Sequence, residues 1–557
     1  MSSSSAPQAY VETRPSSSHV NSLRENWKAD LTAGLLVSLI ALPLCLGIAM
    51  ASGFPAFGGI VTAIIGGLVV GPLCGSQLSI KGPAAGLIAI AIASVETLGA
   101  GNSFDGYRYT LAVLVAAAAM QIVFALCRLG RFGDFFPASV VHGMLAAIGI
   151  IIFSKQIHPL LGVKPMAKEP IPLLLEIPHS LVVMNPTVAL VGVTSVALVV
   201  LANSLLGRVA RYCPGPLLAV LAGIGFCLFF DFSHPHNYTW YSVSYPLNEG
   251  YLVNLPSNFL AGITFPNFSK ILSAESLQFV IMFALIGTIE SLLTVKAVDA
   301  IDPLKRKANL NRDLLALGVG NLLCAFVGGL PMISEVVRSF ANTSYGARTR
   351  WANFFHGLFL LFYAVLLVGL IHLIPLAALA GVLCVTGYRL ASPKNFRQTR
   401  DIGIEQLVVF ATTIVVTLLT DLLVGVFVGI IAQYLSCLIM GAPLKSLVRG
   451  GVRPGAVQPD GTYLLRMPVA CFFGNVISFK REIARTEGKD IVFDLSDTVL
   501  VDHTFMKEIR SIEREVEEQG RRITLRGLQK LVPVSRDDAS SRRVVAASIS
   551  NRALAQG

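Results

Sequence analysis

Gly328-Gly329-Leu330-Pro331-Met332-Ile333-Ser334-Glu335-Val336-Val337-Arg338-Ser339-Phe340-Ala341-Asn342-Thr343-Ser344-Tyr345-Gly346-Ala347-Arg348-Thr349-Arg350 lies between long apolar runs, so it is expected at or inside a membrane. It opens with Gly328, Gly329 and Pro331, which break helices, and then carries Ser334, Glu335 and Arg338. Charge is costly in hydrocarbon, so an ionisable residue there marks a functional site by default. A helix that begins inside the membrane after such a break points its unpaired N–H groups, and the positive end of its dipole, at whatever lies ahead. That arrangement attracts anions.

A second stretch has the same design. Ser79-Ile80-Lys81-Gly82-Pro83-Ala84-Ala85-Gly86 leads into a short apolar run to Ser94, again with Gly-Pro ahead of a helix. One break falls early in the first half of the chain, the other early in the second. Paired interrupted segments at matching places point to a transporter's midplane site. Two simply kinked helices would be the plain alternative.

The chain has 557 residues, is 54% hydrophobic and only 14% charged, with mean hydropathy +0.67. Soluble domains run at about 25% charged, so this is an integral membrane protein. Residues 1–24 are polar and Ser-rich, without the apolar core of a signal peptide, and read as a disordered tail. The net charge of +11 does not indicate nucleic acid, because the basic residues sit largely in short loops that set topology. The nine cysteines are scattered without a Cys-x-x-Cys pair, and the histidines are unclustered, so no metal centre, cofactor or enzyme activity is expected.

About 20 apolar residues cross a bilayer. Spans are expected near 30–50, 57–75, 84–98, 109–127, 136–155, 181–205, 216–231, 277–297, 311–328, 333–345, 352–372, 375–391, 403–421 and 422–440. The two short ones, 84–98 and 333–345, are third in each group of seven. Loops after even-numbered spans carry most of the Lys and Arg, including Lys81, Arg131, Arg208 and Arg211, which places both termini in the cytoplasm. Seven spans cross an odd number of times, so two such halves have opposite orientation, an inverted repeat with the site where they meet. The fold class is an α-helical polytopic membrane protein with a small cytoplasmic α/β domain. The expected domains are a transmembrane unit at 25–440, a linker at 441–461, an α/β domain at 462–533 and a disordered tail at 534–557.

Leu42-Pro43 before Gly47-Ile48-Ala49, the Gly-Pro-Ala-Ala-Gly at 82–86, Ile289-Glu290-Ser291-Leu292-Leu293, and Gly-Gly-Leu-Pro with Arg338-Ser339, Asn342 and Gly346-Ala347-Arg348-Thr349-Arg350 resemble the SulP (sulfate permease) family of anion transporters. The C-terminal part resembles the STAS domain usually attached to them. The resemblance implies a core domain moving against a gate domain, often a homodimer, and an anion held between the N-termini of the third and tenth helices. Sulfate, bicarbonate, chloride and dicarboxylates are substrates across the family. This chain has Leu44 where many members have Gln, which shifts the burden onto backbone donors.

The anion is expected at Gly82, Ala84, Ala85, Gly86, Ile333, Ser334, Glu335 and Arg338. Glu335 and Arg338 are three apart on one helix face, and either pair with each other or leave Arg338 to the anion. Ser334 serves as cap or as anion donor. Glu290, deep in the eighth span, is expected to bind the coupling ion, H⁺ or Na⁺; the resemblance adds Thr294, one turn on, as a cation contact. Thr504 stands where STAS domains carry a phosphoacceptor, but reads here as a helix N-cap. The expected function is secondary active transport of sulfate or bicarbonate across the cell membrane. An uncoupled exchanger or channel, and a nucleobase transporter of related fold, are the alternatives.

Overall fold

The computed structural model describes residues 19–544 apart from 131–135, 168, 208–213, 255–258, 421, 450, 487–488 and 519. The N-terminal tail up to residue 18, the end of the C-terminal tail from 545, and the loop charges Arg131, Lys168, Arg208 and Arg211 lie outside the described residues.

In hydrocarbon a helix satisfies its own backbone, and the apolar runs become helices for that reason. The first half comprises α1 (His19–Ala51), α2 (Ala56–Ile65), a π-helical turn at Gly66–Val70 running into α3 (Gly71–Leu73), β1 (Ile80–Pro83), α4 (Ile88–Gly99), α5 (Ser103–Leu126), α6 (Ala138–Leu160), α7 (Pro170–Val183), α8 (Pro186–Leu206) and α9 (Gly215–Phe229). A hairpin, β2 (His236–Trp240) and β3 (Val243–Leu247), follows. The second half comprises α10 (Ala274–Ala300), α11 (Leu310–Val327), β4 (Met332–Glu335), α12 (Val336–Ser344), α13 (Trp351–Leu366), α14 (Val368–His372), α15 (Leu376–Leu390), α16 (Pro393–Ile402), α17 (Ile404–Leu419) and α18 (Leu422–Ile439).

A helix occupies each of the fourteen expected spans. Among the described residues, eight helices are long and apolar enough to cross a bilayer. The expected 181–205 span is shorter at its start, because the chain turns extended at Asn185 ahead of Pro186 and α7 ends before it. The Asn185 side chain then caps α8 through the N–H of Val188 at 3.3 Å. The helices sort into two groups by packing. In one, α1 lies against α13 and α2, and α5 against α4, α10 and α11; in the other, α15 lies against α6 and α8, and α17 against α6 and α18. The groups meet chiefly where α1 packs on α15.

After α19 (Leu444–Arg449) the chain forms β5 (Ala456–Val457), β6 (Tyr463–Arg466), β7 (Ala470–Cys471), α20 (Val476–Ile483), β8 (Ile491–Asp494), β9 (Leu500–Val501), α21 (His503–Glu518), β10 (Ile523–Arg526), β11 (Val532–Pro533) and β12 (Arg542–Arg543). β10, β8 and β6 run parallel with β5 antiparallel at the edge, and α20 and α21 pack their apolar faces on this sheet through Phe479, Phe493 and Phe505. β5 and β12 carry strand pairing beyond 462–533 on both sides. This domain is seated on the membrane helices. Tyr434 of α18 stacks edge-on against Phe473, ring centroids 5.0 Å apart, and the Ala138 N–H at the start of α6 donates to the Thr504 hydroxyl at 3.2 Å. Thr504 is therefore not the cap of α21. Asp502 is, accepting from the N–H of Phe505 at 2.7 Å, because it stands three residues ahead of that donor, the spacing of an N-cap.

Candidate functional site

The two helix breaks meet. β1 and β4 pair antiparallel in the register Ile80↔Glu335, Lys81↔Ser334, Gly82↔Ile333 and Pro83↔Met332, every residue buried. Extended backbone inside a membrane needs partners, and here each strand supplies the other's. Side chains complete the set. Asn321 of α11 accepts from Met332 N–H at 2.6 Å and donates to the Met332 carbonyl at 3.1 Å. Thr62 Oγ1 accepts from Leu330 N–H at 2.7 Å, Ser339 Oγ from Ile80 N–H at 2.8 Å, and Tyr107 donates to the Gly328 carbonyl at 2.8 Å. Gly328 ends α11 at φ +87, a left-handed conformation that favours glycine.

Sequence reasoning placed helix starts at Ala84 and Ile333; the strands push both later. α4 begins with one 3-10 turn at Ala85–Leu87, and α12 begins at Val336. Several expected anion donors are thereby engaged within the protein. Ala84 N–H donates to the Pro331 carbonyl at 3.0 Å, Ser334 N–H to Ser291 Oγ at 3.1 Å, and Ala85 N–H to Glu335 Oε1 at 3.2 Å. Ser334 neither caps α12 nor faces the helix starts: its hydroxyl bonds to Lys81 Nζ and lies 3.0 Å from Ser291 Oγ. Ile333 is buried opposite Gly82.

Glu290 on α10 is 7% exposed, and its carboxylate lies against the α-carbon of Gly86, where any side chain would overlap it. Its Oε2 makes no hydrogen bond among the described residues. Thr294, one turn along α10, is also buried. Arg338 is fully buried, and none of its three guanidinium nitrogens has a hydrogen-bond partner among the described residues. Nη1 lies against Gly82, which has no side chain to exclude it. Glu335 and Arg338 do not pair; the Glu335 carboxylate turns to Ala85 instead. The structure thus gathers Ala85, Gly86, Glu290 and Glu335 at the start of α4, with Arg338 and Gly82 beside them.

Lys81 is the principal residue that sequence reasoning misread. Counted as a cytoplasmic loop charge, it is wholly buried, its Nζ 2.6 Å from Asp313 Oδ2 on α11. Gly82-Pro83 mark a helix break, but the break lies inside the protein as strand β1, which carries Lys81 inward with it. Asp313 stands near the start of the apolar run 311–328; a lysine and an aspartate in otherwise apolar segments were the available signal. No cluster of three or more metal-ligating side chains occurs among the described residues.

Buried cationic charge, two strand-to-helix turns crossing at one place and a polytopic helical frame define a membrane transporter of anions. The family model described as Sulfate permease family matches residues 27–441, and the chain belongs to that family. It is 25% identical over 415 residues to the putative sulfate transporter YvdB of Bacillus subtilis, covering 74% of this chain and 73% of that one. It is 26% identical over 523 residues to the bicarbonate transporter BicA of Synechocystis, covering 90% and 88%. Among solved structures, the transmembrane domain of a cyanobacterium bicarbonate transporter BicA superposes with TM-score 0.63 at 24% identity, over 72% of this chain and 97% of that one. SLC26A9 superposes with TM-score 0.65 at 14% identity, over 90% and 84%. Family and relatives are transporters, not enzymes.

Proposed function

We infer that the protein is a secondary active transporter that moves bicarbonate or sulfate across the cell membrane, driven by H⁺ or Na⁺ bound at Glu290. The buried Arg338 carries this reading. An unpaired cation in a membrane interior is strongly destabilising, and an anion beside it supplies the missing counter-charge. The N-terminus of α12 adds partial positive charge to the same place, because Glu335 caps nothing on its own helix. Glu290 then serves as the coupling group: neutralised by H⁺ or Na⁺, it ceases to oppose the anion, so the two load together. The two helix groups correspond to a core and a gate that rock about the site, in a seven-plus-seven inverted repeat, with both termini cytoplasmic and the chain as a homodimer.

Uptake of labelled bicarbonate and sulfate into proteoliposomes, with pH and Na⁺ gradients imposed separately, tests the reading. Accumulation against a concentration gradient under one of them supports coupled transport. Flux that only equilibrates assigns an uncoupled exchanger or channel, and competition by uracil or xanthine assigns a nucleobase carrier.

A further inference from the structure

Glu335 stands immediately ahead of α12, where an acidic side chain would ordinarily accept a hydrogen bond from the first turn of its own helix. It makes no such bond. Its carboxylate crosses to the other helix and takes the Ala85 N–H at 3.2 Å. It is 7% exposed, and this is its one hydrogen bond among the described residues. The charged and titratable groups around it are Glu290 from α10, Arg338 from α12 and Cys45 from α1, with His356 of α13 behind Arg338. Three of these are buried with orphaned polar atoms: Oε2 of Glu290, all three guanidinium nitrogens of Arg338 and both ring nitrogens of His356.

We propose that Glu335 is a tethered anion: its carboxylate holds the seat at the start of α4, and a transported anion occupies that seat only by displacing it. This rests on the anion-transport reading above and makes Glu335 a selectivity-determining residue. One N–H cannot serve two anions at hydrogen-bond distance. A tethered group competes at an effective concentration set by its short link, and apparent affinity falls by the fraction of time the seat is open. Exchange with a planar monovalent oxyanion such as bicarbonate replaces one carboxylate-like group by another and leaves the local charge unchanged wherever Glu335 moves out. A divalent anion brings twice the charge against the same nearby carboxylates, so Glu335 discriminates against sulfate more than against bicarbonate.

The test uses the full-length protein in proteoliposomes, with labelled bicarbonate uptake at alkaline pH and unlabelled sulfate as competitor. Glu335→Ala is expected to lower the bicarbonate KM by about tenfold or more, the scale of removing a millimolar internal competitor, and to lower the sulfate inhibition constant by a larger factor. Glu335→Gln keeps an oxygen for Ala85 N–H without the charge and is expected to fall between wild type and Ala; being near-isosteric, it also carries the test if the Ala variant does not fold. Unchanged or raised KM in both variants, or an unchanged sulfate-to-bicarbonate ratio, overturns the proposal while leaving anion transport standing. Wild-type vesicles that take up neither anion overturn the transport reading itself, and this proposal with it.

Discussion

Glu290 and Gly86 show how a single missing side chain shapes the site. The Glu290 carboxylate lies against Gly86 in the turn that opens α4, where an added methyl would overlap both oxygens. Gly86→Ala is therefore expected to push Glu290 aside and to abolish gradient-driven uptake while membrane insertion persists. Uptake measured beside a detergent-extraction control checks this, and full coupled transport in the variant would show that Glu290 does not work from this position. Glu290→Gln keeps the shape but fixes the neutral form. It should still exchange labelled anion between vesicle and medium, yet lose its dependence on the cation gradient. If it continues to concentrate anion with the same cation, the coupling group lies elsewhere.

At the level of elements, β1 and β4 set the geometry, and a buried ion pair fixes β1 to α11. Removing one partner of such a pair strands the other, at a cost of about 3–5 kcal/mol, whereas replacing both by apolar residues is often close to neutral. Lys81→Met alone should thus lower the melting temperature of the purified protein markedly, and Lys81→Met with Asp313→Leu should recover most of it. A double variant no better than the single would mean that the lysine matters for some reason other than its pairing. The helices were legible from the sequence because their apolar runs are long and membrane helices carry their backbone bonds internally. The breaks at Gly82-Pro83 and Gly328-Gly329-Leu330-Pro331 were legible for the same reason, as failures of that pattern. The strands were not. Ile80–Pro83 and Met332–Glu335 have no alternation to betray them, being buried on both faces, and each is extended only because the other is there. The destination of the Glu335 carboxylate was equally hidden: spacing along α12 favours Arg338, and only the ladder brings Ala85 within reach. Nor could spacing alone show that Asp502, not Thr504, caps α21, since both stand near the helix start.

For the whole molecule, the seating of the C-terminal domain introduces a pH dependence of its own. Asp502 is fully buried and accepts from the N–H groups of Phe505 and Phe473, with Gln433 of α18 beside it; burial outweighs those bonds and pushes its carboxyl up to about 7. Folding therefore favours the protonated acid, which contributes stability below the ordinary carboxylate range and loses it as pH rises through about 7. Unfolding followed from about pH 5 to about pH 8 should show wild type losing stability over that interval relative to Asp502→Asn. Parallel curves for the two proteins would mean that Asp502 does not titrate there. A different consequence follows from the strand ladder, whose facing residues Lys81 and Ser334 are 253 positions apart. During synthesis β1 is made long before β4 exists. Until the second strand arrives, the first has polar backbone that hydrocarbon cannot satisfy. The first half of the chain is thus born incomplete, and its inner strand is satisfied only once the second half has been made as far as Glu335.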